Sequence, residues 1–435
     1  MATPTSSDKQ WRNGSLNNPI SMQKMNVLHV SKYYYPYIGG VENTCKQIVE
    51  GITNQFDSAV VCFSEGEKDY DDIVNGHKIY RVGSWLNVAR QALSPTYIFV
   101  LRRAIKEFAP DIIHFHWANP FPAAILLMTI PKNVKLIVHW HMDIIKQKRI
   151  YPFIKPVETA LLKRANLIIV TSPQYRDTSL PLEPFTEKIR VVPNAIDAKA
   201  LDIKEGDDKR IKDINEKYFG RKIVFFIGRH IQYKGLPYLL AAEKHIKSEC
   251  EIVIASKGPL TKELKAQCQS PRVHFVGRLD DDELRSYLHS ASVFAFPSIT
   301  RNEAFGLALA EAMYCGKPAV TFTIPGSGVN WVNLDGITGL EAPNKDVTAF
   351  AANIDKLLTD VELAQRLGQA GRKRVIDNFT IPIMINKMTE VYKSLYSCAV
   401  APKSTFVVNK PKTGGVIVKV SFRLAAQSSQ ERRAA

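Results

Sequence analysis

Two glutamates stand in the stretch RNEAFGLALAEAMYCGKP, residues 301–318, with seven residues between them. Paired carboxylates can share acid/base work at one bond, and in glycosidases they lie about 5–9.5 Å apart. The pattern predicts a helix that ends at Gly316, with Glu303 in the turn before it and Glu311 inside it. Helical rise would separate their Cα atoms by about 12 Å. We therefore expect them to hold different parts of one extended ligand, with Glu311 as a plain surface residue as the alternative.

Two turns suit an anion. The N–H groups of Phe305, Gly306 and Leu307 at the start of this helix have no intrahelical partner and can meet a phosphate. In FIGRHIQYKGLPYLL, Arg229 and Lys234 occupy a strand–helix turn. Cations are unfavourable at a helix N-terminus, so their placement indicates a compensating anion such as a diphosphate. The alternative is ordinary surface charge.

A glycine pair, Gly39 and Gly40, lies in YYYPYIGGVEN between a strand and a helix. Glycines let backbone approach a ligand closely, although such pairs also occur in ordinary turns. The stretch is neither a G-x-G-x-x-G nor a Walker loop, which counts against dinucleotide and ATP binding.

Four histidines occur as pairs, His114 and His116 in IIHFHW and His139 and His141 in IVHWH. Strand alternation puts each pair on one face. Cysteines or carboxylates with zinc-ligand spacing are missing around them, so we expect no metal site. Strand ends face the cleft in such folds, and His141, followed by Asp143, is the better candidate for contact with a ligand.

Two charged stretches have a plainer interpretation beside the functional one. DDDEL, residues 280–284, is typical of an acidic helix N-cap rather than of a metal site. DIIKQKRIYPFIKPVETALLKRA suits either a solvated helix face or contact with anionic lipid headgroups. Its basic residues are Lys146, Lys148, Arg149, Lys155, Lys163 and Arg164, set against Glu158 and interleaved with Tyr151, Phe153, Ile154 and Leu161.

These residues need a scaffold, and short apolar strands alternate with helical patterns from Lys24 onward. Strands apolar on both faces predict parallel sheets covered by helices. A charged stretch over 198–221 separates two such series, so the sequence predicts an α/β fold of two Rossmann-like, doubly wound domains facing across a cleft. The expected units are a flexible tail over 1–23, domains over 24–205 and 206–378, a closing helix over 379–398 and a disordered tail over 399–435.

Composition adds an anionic partner to these expectations. The chain has 435 residues, a formal net charge of +16 and scattered cysteines without a C-x-x-C pair. This charge suits nucleic acid, an acidic membrane surface or phosphorylated small molecules, or reflects solvated lysines. The cysteine pattern suits a reducing cytosol. The apolar runs are too short to span a bilayer, and nucleic-acid motifs are missing.

Taken together, these stretches resemble glycosyltransferase family 4, of the GT-B fold, over roughly residues 24–396. The resemblance rests on GGVE, HWHMDIIKQ, VVPNAID, GRHIQYKG, FPSITRNEAFGLALAEAMYCGKP and GSGVNWVNLDGITGL. The HWH-x-D and GSGV-x-WVN details are similar to bacterial mannosyl- and rhamnosyltransferases of surface polysaccharide synthesis. Three stretches depart from the family pattern: ASKGPL at 255–260 where GDGPL is usual, Ala195 in PNAID, and Met142 after His141.

The resemblance implies a catalytic set of His141, Glu303, Arg229 and Lys234. Arg229 and Lys234 would neutralise a departing diphosphate in place of a divalent metal. Glu303 would bind donor-sugar hydroxyls, and His141 would line the donor sugar. The implied donor-binding residues are Gly39, Gly40, Phe305, Gly306, Leu307 and, at the ribose, Glu311.

The resemblance further implies a retaining transfer of a hexosyl unit, with mannose from GDP-mannose as the best guess, to a lipid-linked or polysaccharide acceptor. The N-terminal domain would face the acceptor and the C-terminal domain would bind the nucleotide sugar. No metal or other cofactor is expected. The expected location is the cytoplasm, with peripheral contact at the inner membrane. The alternatives are a sugar-nucleotide 2-epimerase on the same scaffold and, more remotely, a basic nucleic-acid-binding protein.

Overall fold

The structure is a computed structural model that describes residues 24–37, 39–88, 91–144 and 150–397. The expected tails over 1–23 and 399–435 lie outside these residues. So do Lys146, Lys148 and Arg149 of the basic stretch. None of the described helices combines the length and apolar composition that crossing a membrane requires.

The first half of the chain forms a sheet from short apolar segments. Its strands, in chain order, are β1 (Met25–Val30), β2 (Phe56–Phe63), β3 (Tyr70–Val74), β4 (His77–Val82), β5 (Leu86–Val88), β6 (Gln91–Leu93), β7 (Ile112–Trp117), β8 (Lys135–Trp140), β9 (Leu167–Val170) and β10 (Ile189–Val191). Eight of them form one sheet in the order β10-β9-β8-β7-β1-β2-β4-β3, and β5 and β6 form a separate hairpin. All neighbours in the large sheet are parallel except β3 and β4.

Helices cover both faces of this sheet. They are α1 (Gly40–Gly51), α2 (Tyr97–Phe108), α3 (Pro120–Thr129), α4 (Tyr151–Arg164) and α5 (Pro173–Thr178), followed by a 3-10 segment over Leu180–Lys188. Because β7 is buried at every residue and β8 at every residue but the first, alternation of polar and apolar side chains is lost, as expected for a covered parallel sheet.

The second half repeats this plan with six parallel strands. They are β11 (Lys222–Ile227), β12 (Cys250–Ala255), β13 (Val273–Gly277), β14 (Val293–Phe296), β15 (Ala319–Phe322) and β16 (Gly339–Ala342). Their order is β13-β12-β11-β14-β15-β16. The accompanying helices are α6 (Ala198–Leu201), α7 (Asp207–Lys217), α8 (Leu236–Glu243), α9 (Thr261–Gln267), α10 (Asp281–Ser290), α11 (Leu307–Tyr314), α12 (Val329–Val332), α13 (Val347–Thr359), α14 (Val361–Asn378) and α15 (Ile381–Ser397), with a 3-10 turn over Gln232–Lys234.

The last helix, α15, returns to the first sheet. Its Met384, Met388 and Tyr392 are buried against Val27 of β1 and Ile137 of β8. The helix also packs against α1. The chain therefore begins and ends its described part in the same core, which ties the second half to the first.

The strand order fixes where ligands can bind. In the second sheet the chain runs outward from β11 in one direction and from β14 in the other, and the first sheet reverses in the same way between β1 and β7. A crevice forms at such a point, outside the carboxyl ends of the two strands. The loops after β1, β8, β11 and β14 carry the residues that the sequence singled out.

The predicted fold class, two Rossmann-like domains facing across a cleft, is confirmed. The sequence did not predict the antiparallel β3, the β5–β6 hairpin or the short strand β10, and α7 lies within the charged stretch that separates the two series. The helix α7 is stabilised by tertiary contacts, because Arg285 of α10 donates to both carboxylate oxygens of the buried Asp207.

Candidate active site

The cationic turn after β11 is shaped by a glycine. Gly235 ends the 3-10 turn with φ of +69°, and a Cβ at this position would overlap the carbonyl oxygen of Pro297 after β14. Glycine is required on both counts. The tight approach brings Lys234 next to the loop that follows β14, whereas Arg229 is exposed at the start of the turn.

The loop after β14 presents Glu303 to that lysine. The ammonium of Lys234 contacts Oε2 of Glu303 directly, and the hydroxyl of Ser298 donates to the same oxygen at 3.2 Å. Both charged side chains are largely shielded, with exposed fractions of 13% and 10%. A shielded pair between a cation and a carboxylate at the mouth of a cleft is suited to hold a polar, anionic ligand.

A small-residue loop, Gly326–Gly328, buttresses Glu303 from behind. The hydroxyl of Ser327 donates to the carbonyl of Glu303, and the N–H of Gly328 donates to the carbonyl of Ala304 at 3.1 Å. A Cβ on Gly328 would overlap that same carbonyl, which explains why this position needs glycine. The GSG motif therefore fixes the backbone that carries the glutamate.

The helix α11 begins at Gly306, whose φ of +95° turns the chain into the helix. The first N–H groups of the helix thus face the loop end of the sheet. Phe305 supplies backbone only, because its ring is buried against Trp331 and Phe379. The ring of Phe305 is therefore taken up by the core, and only its backbone remains for the predicted ligand contact.

Glu311 lies in the fifth position of α11, and Glu303 lies in the turn before this helix, as the sequence pattern predicts. Its side chain is partly buried, and none of the described residues hydrogen-bonds to its carboxylate. Burial raises its pKa to about 7, with a smaller contribution from Asp281 and an opposing one from Lys234. A carboxyl group without a partner in the protein is available to a ligand.

The glycine pair faces this site from the other domain. A Cβ on Gly40 would lie 3.8 Å from Cδ1 of Leu307, at the start of α11, so the two helix N-termini face each other across the cleft. The carboxylate of Glu42 folds over Gly39, and burial raises its pKa. The N-terminus of α1 is therefore covered by an anionic side chain in this structure.

His141 follows β8 at the carboxyl edge of the first sheet and is buried, with 4% of its surface exposed. Its Nε2 lies 3.0 Å from Nδ1 of His116, and burial lowers its pKa to about 3. Among the described residues, its Nδ1 has no hydrogen-bond partner. The imidazole is therefore neutral at any working pH, with one nitrogen committed to the protein.

The other sequence histidines are not at the cleft. His114 and His139 are fully covered within the sheet, where Nδ1 of His114 contacts the hydroxyl of Tyr392 at 2.6 Å. Of the four paired histidines, only His141 lies past the strand end. His29 of β1, which the sequence did not indicate, lies beside His114 and His116, with ring nitrogens of the three within 4.8 Å of one another. MNVLHV contains a single histidine, so the paired spacing that drew attention to the other four is missing there.

A contact that the sequence did not predict joins the two domains. Arg301 reaches from the loop before α11 to Asp143, with N···O of 2.9 Å, and donates to the carbonyl of Thr178 at 2.8 Å. Asp143 also accepts from Trp140 at 2.8 Å and from Ser179 at 2.7 Å. Arg301 was part of the quoted motif, but its spacing gave no signal that it bridges domains.

The two charged stretches, DDDEL and the basic stretch on α4, both form parts of helices. Asp280 is the N-cap of α10 and forms a capping box with Glu283, so DDDEL is a helix start. Two residues of the basic stretch do not lie on the surface of α4: Leu161 is buried in the core, and Glu158 is buried and accepts from the Tyr151 hydroxyl at 2.7 Å.

Family models match both halves of the chain. Residues 38–200 match "Glycosyltransferase Family 4" and residues 207–374 match "Glycosyl transferases group 1". The chain is 30% identical to D-rhamnosyltransferase WbpZ of Pseudomonas aeruginosa over 82% of this chain and 92% of that protein. It is 29% identical to O-antigen chain mannosyltransferase C of Escherichia coli over 85% of this chain and 99% of that protein.

Solved structures agree with the fold. Sucrose-phosphate synthase from Thermosynechococcus elongatus aligns with a TM-score of 0.71 at 21% identity, over 86% of this chain and all of that one. Anabaena HepE in complex with UDP-glucose aligns with a TM-score of 0.68 at 18% identity, over 85% of this chain and all of that one. With the relatives above, they show that this chain belongs to glycosyltransferase family 4, has the GT-B fold, and resembles the mannosyl- and rhamnosyltransferases of bacterial surface polysaccharide synthesis.

Proposed function

We propose that this enzyme is a retaining hexosyltransferase that moves mannose from GDP-mannose to a lipid-linked or polysaccharide acceptor. The observation that carries the proposal is the shielded contact between Lys234 and Glu303 at the cleft, beside the N-terminus of α11. The solved structure of HepE holds UDP-glucose, which supports a nucleotide sugar as donor here. The O-antigen mannosyltransferase supports mannose and a saccharide acceptor.

In this proposal the second domain grips the donor along its length. Glu303 accepts from hydroxyls of the sugar, and Lys234 with Arg229 meets the diphosphate, where negative charge grows as the sugar bond breaks. The N–H groups at the start of α11 present positive partial charge and so add to the attraction for the diphosphate. Glu311 accepts from the ribose hydroxyls. These cations take the role that a divalent metal has elsewhere, so we expect a chelator to leave turnover unchanged.

The first domain completes the site. Gly39 and Gly40 bring backbone close to the diphosphate, and Glu42 must move aside when the donor binds. His141 lines the sugar. Closing the cleft would exclude water, whose attack on the donor competes with transfer.

The test is release of nucleoside diphosphate from a panel of nucleotide sugars, with lipid-linked and saccharide acceptors present. We expect faster turnover of GDP-mannose than of the other donors. NMR should show that the product keeps the anomeric configuration of the donor. Inversion would remove the retaining assignment. Turnover of none of the donors would overturn the proposal. The relatives reported above are named as transferases and a synthase, which gives the epimerase alternative no support, and an epimerised donor without acceptor would be its signature.

The surface of α4 supports peripheral contact with an anionic membrane. Phe153 has 81% of its surface exposed, and Lys155 and Lys163 of the same helix line a shallow cavity of about 390 Å³. A helix that exposes an aromatic ring and lysines suits lipid headgroups. Co-sedimentation with vesicles of anionic lipid, lost on Phe153→Ser with Lys155→Glu, is expected; equal binding to neutral vesicles would contradict it.

A further inference from the structure

Five buried histidines lie on one face of the first sheet, beneath α15. They are His29 on β1, His114 and His116 on β7, His139 on β8 and His141 directly after it. Their ring nitrogens form two groups of three, with the atoms of each group within 4.8 Å of one another. Polar rings in an apolar core cost free energy unless partners satisfy them, so the cluster needs an explanation.

Three of the five rings form one hydrogen-bonded chain. Nδ1 of His29 lies 3.3 Å from Nε2 of His116, and Nδ1 of His116 lies 3.0 Å from Nε2 of His141. The planes of His116 and His141 differ by 8° and their centroids are 5.2 Å apart. The centroid separation exceeds the N···N distance by about two ring radii. The two rings therefore meet edge to edge in a common plane, with their nitrogens directed at each other.

This geometry favours a proton between the rings over a metal ion. Two imidazole nitrogens bound to one tetrahedral zinc ion at about 2.0–2.1 Å would lie about 3.3 Å apart with both lone pairs aimed at the ion. The nitrogens of His116 and His141 lie 3.0 Å apart and are directed at each other instead. The observed distances of 3.0 and 3.3 Å are those of hydrogen bonds. Each link then carries one N–H, which donates to the lone pair of the next ring.

The buried nitrogen of His29 sets the direction in which N–H groups donate along the three histidines. Nε2 of His29 is buried and has no partner. If the N–H groups pointed from His141 toward His29, this atom would be a buried N–H without an acceptor. In the opposite direction it is an unpaired lone pair, which buried groups tolerate more often than an unpaired N–H. His29 therefore donates to His116, His116 donates to His141, and the proton of His141 resides on Nδ1.

We infer that His116 is a positioning residue, which holds His141 as the Nδ1–H tautomer and so presents a hydrogen-bond donor to the bound sugar. The inference rests on the proposed function, because it takes His141 as a residue that lines the donor sugar. It says what the contact between Nδ1 of His116 and Nε2 of His141 does for that ring. His29 orients His116 in turn. His139 stacks on His141 with centroids 4.0 Å apart, but neither of its nitrogens has a partner, so it takes no part in the chain.

Burial makes the tautomer, rather than the charge, the property that the protein can set. It lowers the pKa of His29 and of His141 to about 3, and the pKa of His116 falls well below its usual value for the same reason. A neutral imidazole has one donor and one acceptor nitrogen, and the bond that the inner nitrogen makes decides which faces outward.

Three variants of the full chain test this inference. His116→Phe fills the ring space but removes both nitrogens, and we expect kcat to fall about 10- to 100-fold with little change in the donor KM. His116→Asn restores an N–H near the position of Nδ1, and we expect it to recover most of kcat. The matched control is His139→Phe, because β7 and β8 pair these two positions directly. It removes a ring of the same type beside His141 without breaking a hydrogen bond, so kcat should stay within about twofold.

A spectroscopic readout separates tautomer from structure. In protein labelled with nitrogen-15 at histidine, His141 should show a protonated Nδ1 and an unprotonated Nε2 in the wild type and His139→Phe. In His116→Phe the two nitrogens should report a mixture. A wild-type His141 protonated on Nε2 would overturn the inference, as would a His116→Phe variant with unchanged kcat.

The outcomes also separate this inference from the proposed function. If the wild type turns over no nucleotide sugar, the function fails, and the nitrogen-15 spectra still decide the tautomer. If transfer is active but a chelator removes it and zinc alone restores it through the histidine cluster, the hydrogen-bonded chain is wrong.

Discussion

The two sheets follow one topological plan and bury opposite kinds of polar group. The first holds five neutral imidazoles on one face, in a core that α15 closes. The second holds charges at its edge, where Lys234 contacts Glu303 and Glu311 stays without a protein partner. Charge is placed where an anionic donor can compensate it, whereas the first sheet offers directed but uncharged hydrogen bonds. The difference assigns the electrostatic work to the second domain and orientation to the first.

A fall in pH should produce the largest difference in stability between the two domains. Burial lowers the pKa of His29 and His141 from 6.5 to about 3, so below pH 6.5 the unfolded chain binds protons that the folded chain does not. Stability therefore falls as pH falls through this window, by about 2 kcal/mol for each of the two at pH 5. The pKa values of the other three imidazoles are lowered in the same direction.

The measurement is hydrogen exchange followed by mass spectrometry at pH 7 and pH 5, corrected for the intrinsic rate. Peptides of β1, β7 and β8 should lose protection before those of β11 and β14. The second domain is the internal control, since its two histidines with lowered pKa, His230 and His289, are fewer. Equal loss in both domains would contradict the assignment.

Removing the cation at the cleft should have the next largest effect. Lys234→Ala removes the positive charge beside the place where the leaving diphosphate gains negative charge, and we expect kcat to fall about 10²- to 10³-fold. The exposed Lys244, at the end of α8, gives the matched control Lys244→Ala. Steady-state kinetics with circular dichroism would check both.

The same substitution leaves Glu303 shielded and unpaired, which costs stability by itself. Lys234→Ala with Glu303→Gln should therefore regain folding stability without regaining activity. If the double variant recovers turnover, the lysine holds the fold and does not act on the donor.

A smaller effect concerns Glu311. Its pKa of about 7 means that in the free enzyme at pH 6 most of the carboxyl is protonated, and a protonated group accepts poorly from two ribose hydroxyls. The donor KM should therefore fall about tenfold between pH 6 and pH 8. Glu311→Gln should have a raised KM that no longer changes with pH. A pH dependence of KM that survives in this variant would remove Glu311 from the ribose.

The sequence predicted the second domain's site better than the first domain's. Lys234, Glu303 and Glu311 sit on a strand–turn–helix and a helix start, whose glycines and periodicity are local signals, and the structure places each in the expected element. The imidazole chain and the Arg301–Asp143 bridge join residues from separate strands or domains. Such contacts depend on strand order and domain packing, which spacing along one chain does not encode.

The smallest expected effect sharpens the comparison at a single residue. His139 is buried with both nitrogens unpartnered, so its ring costs desolvation that no hydrogen bond returns. Replacing it with phenylalanine keeps an aromatic ring stacked near His141 and removes the polar atoms. We expect His139→Phe to raise the free energy of unfolding by about 1 kcal/mol at pH 7, and by more at pH 5, because one acid-sensitive group is gone. Urea unfolding at both pH values measures this, with His114→Phe as the contrast, since it breaks the contact with the Tyr392 hydroxyl and should destabilise. Equal effects of the two variants would mean that the first sheet tolerates its imidazoles without regard to their partners.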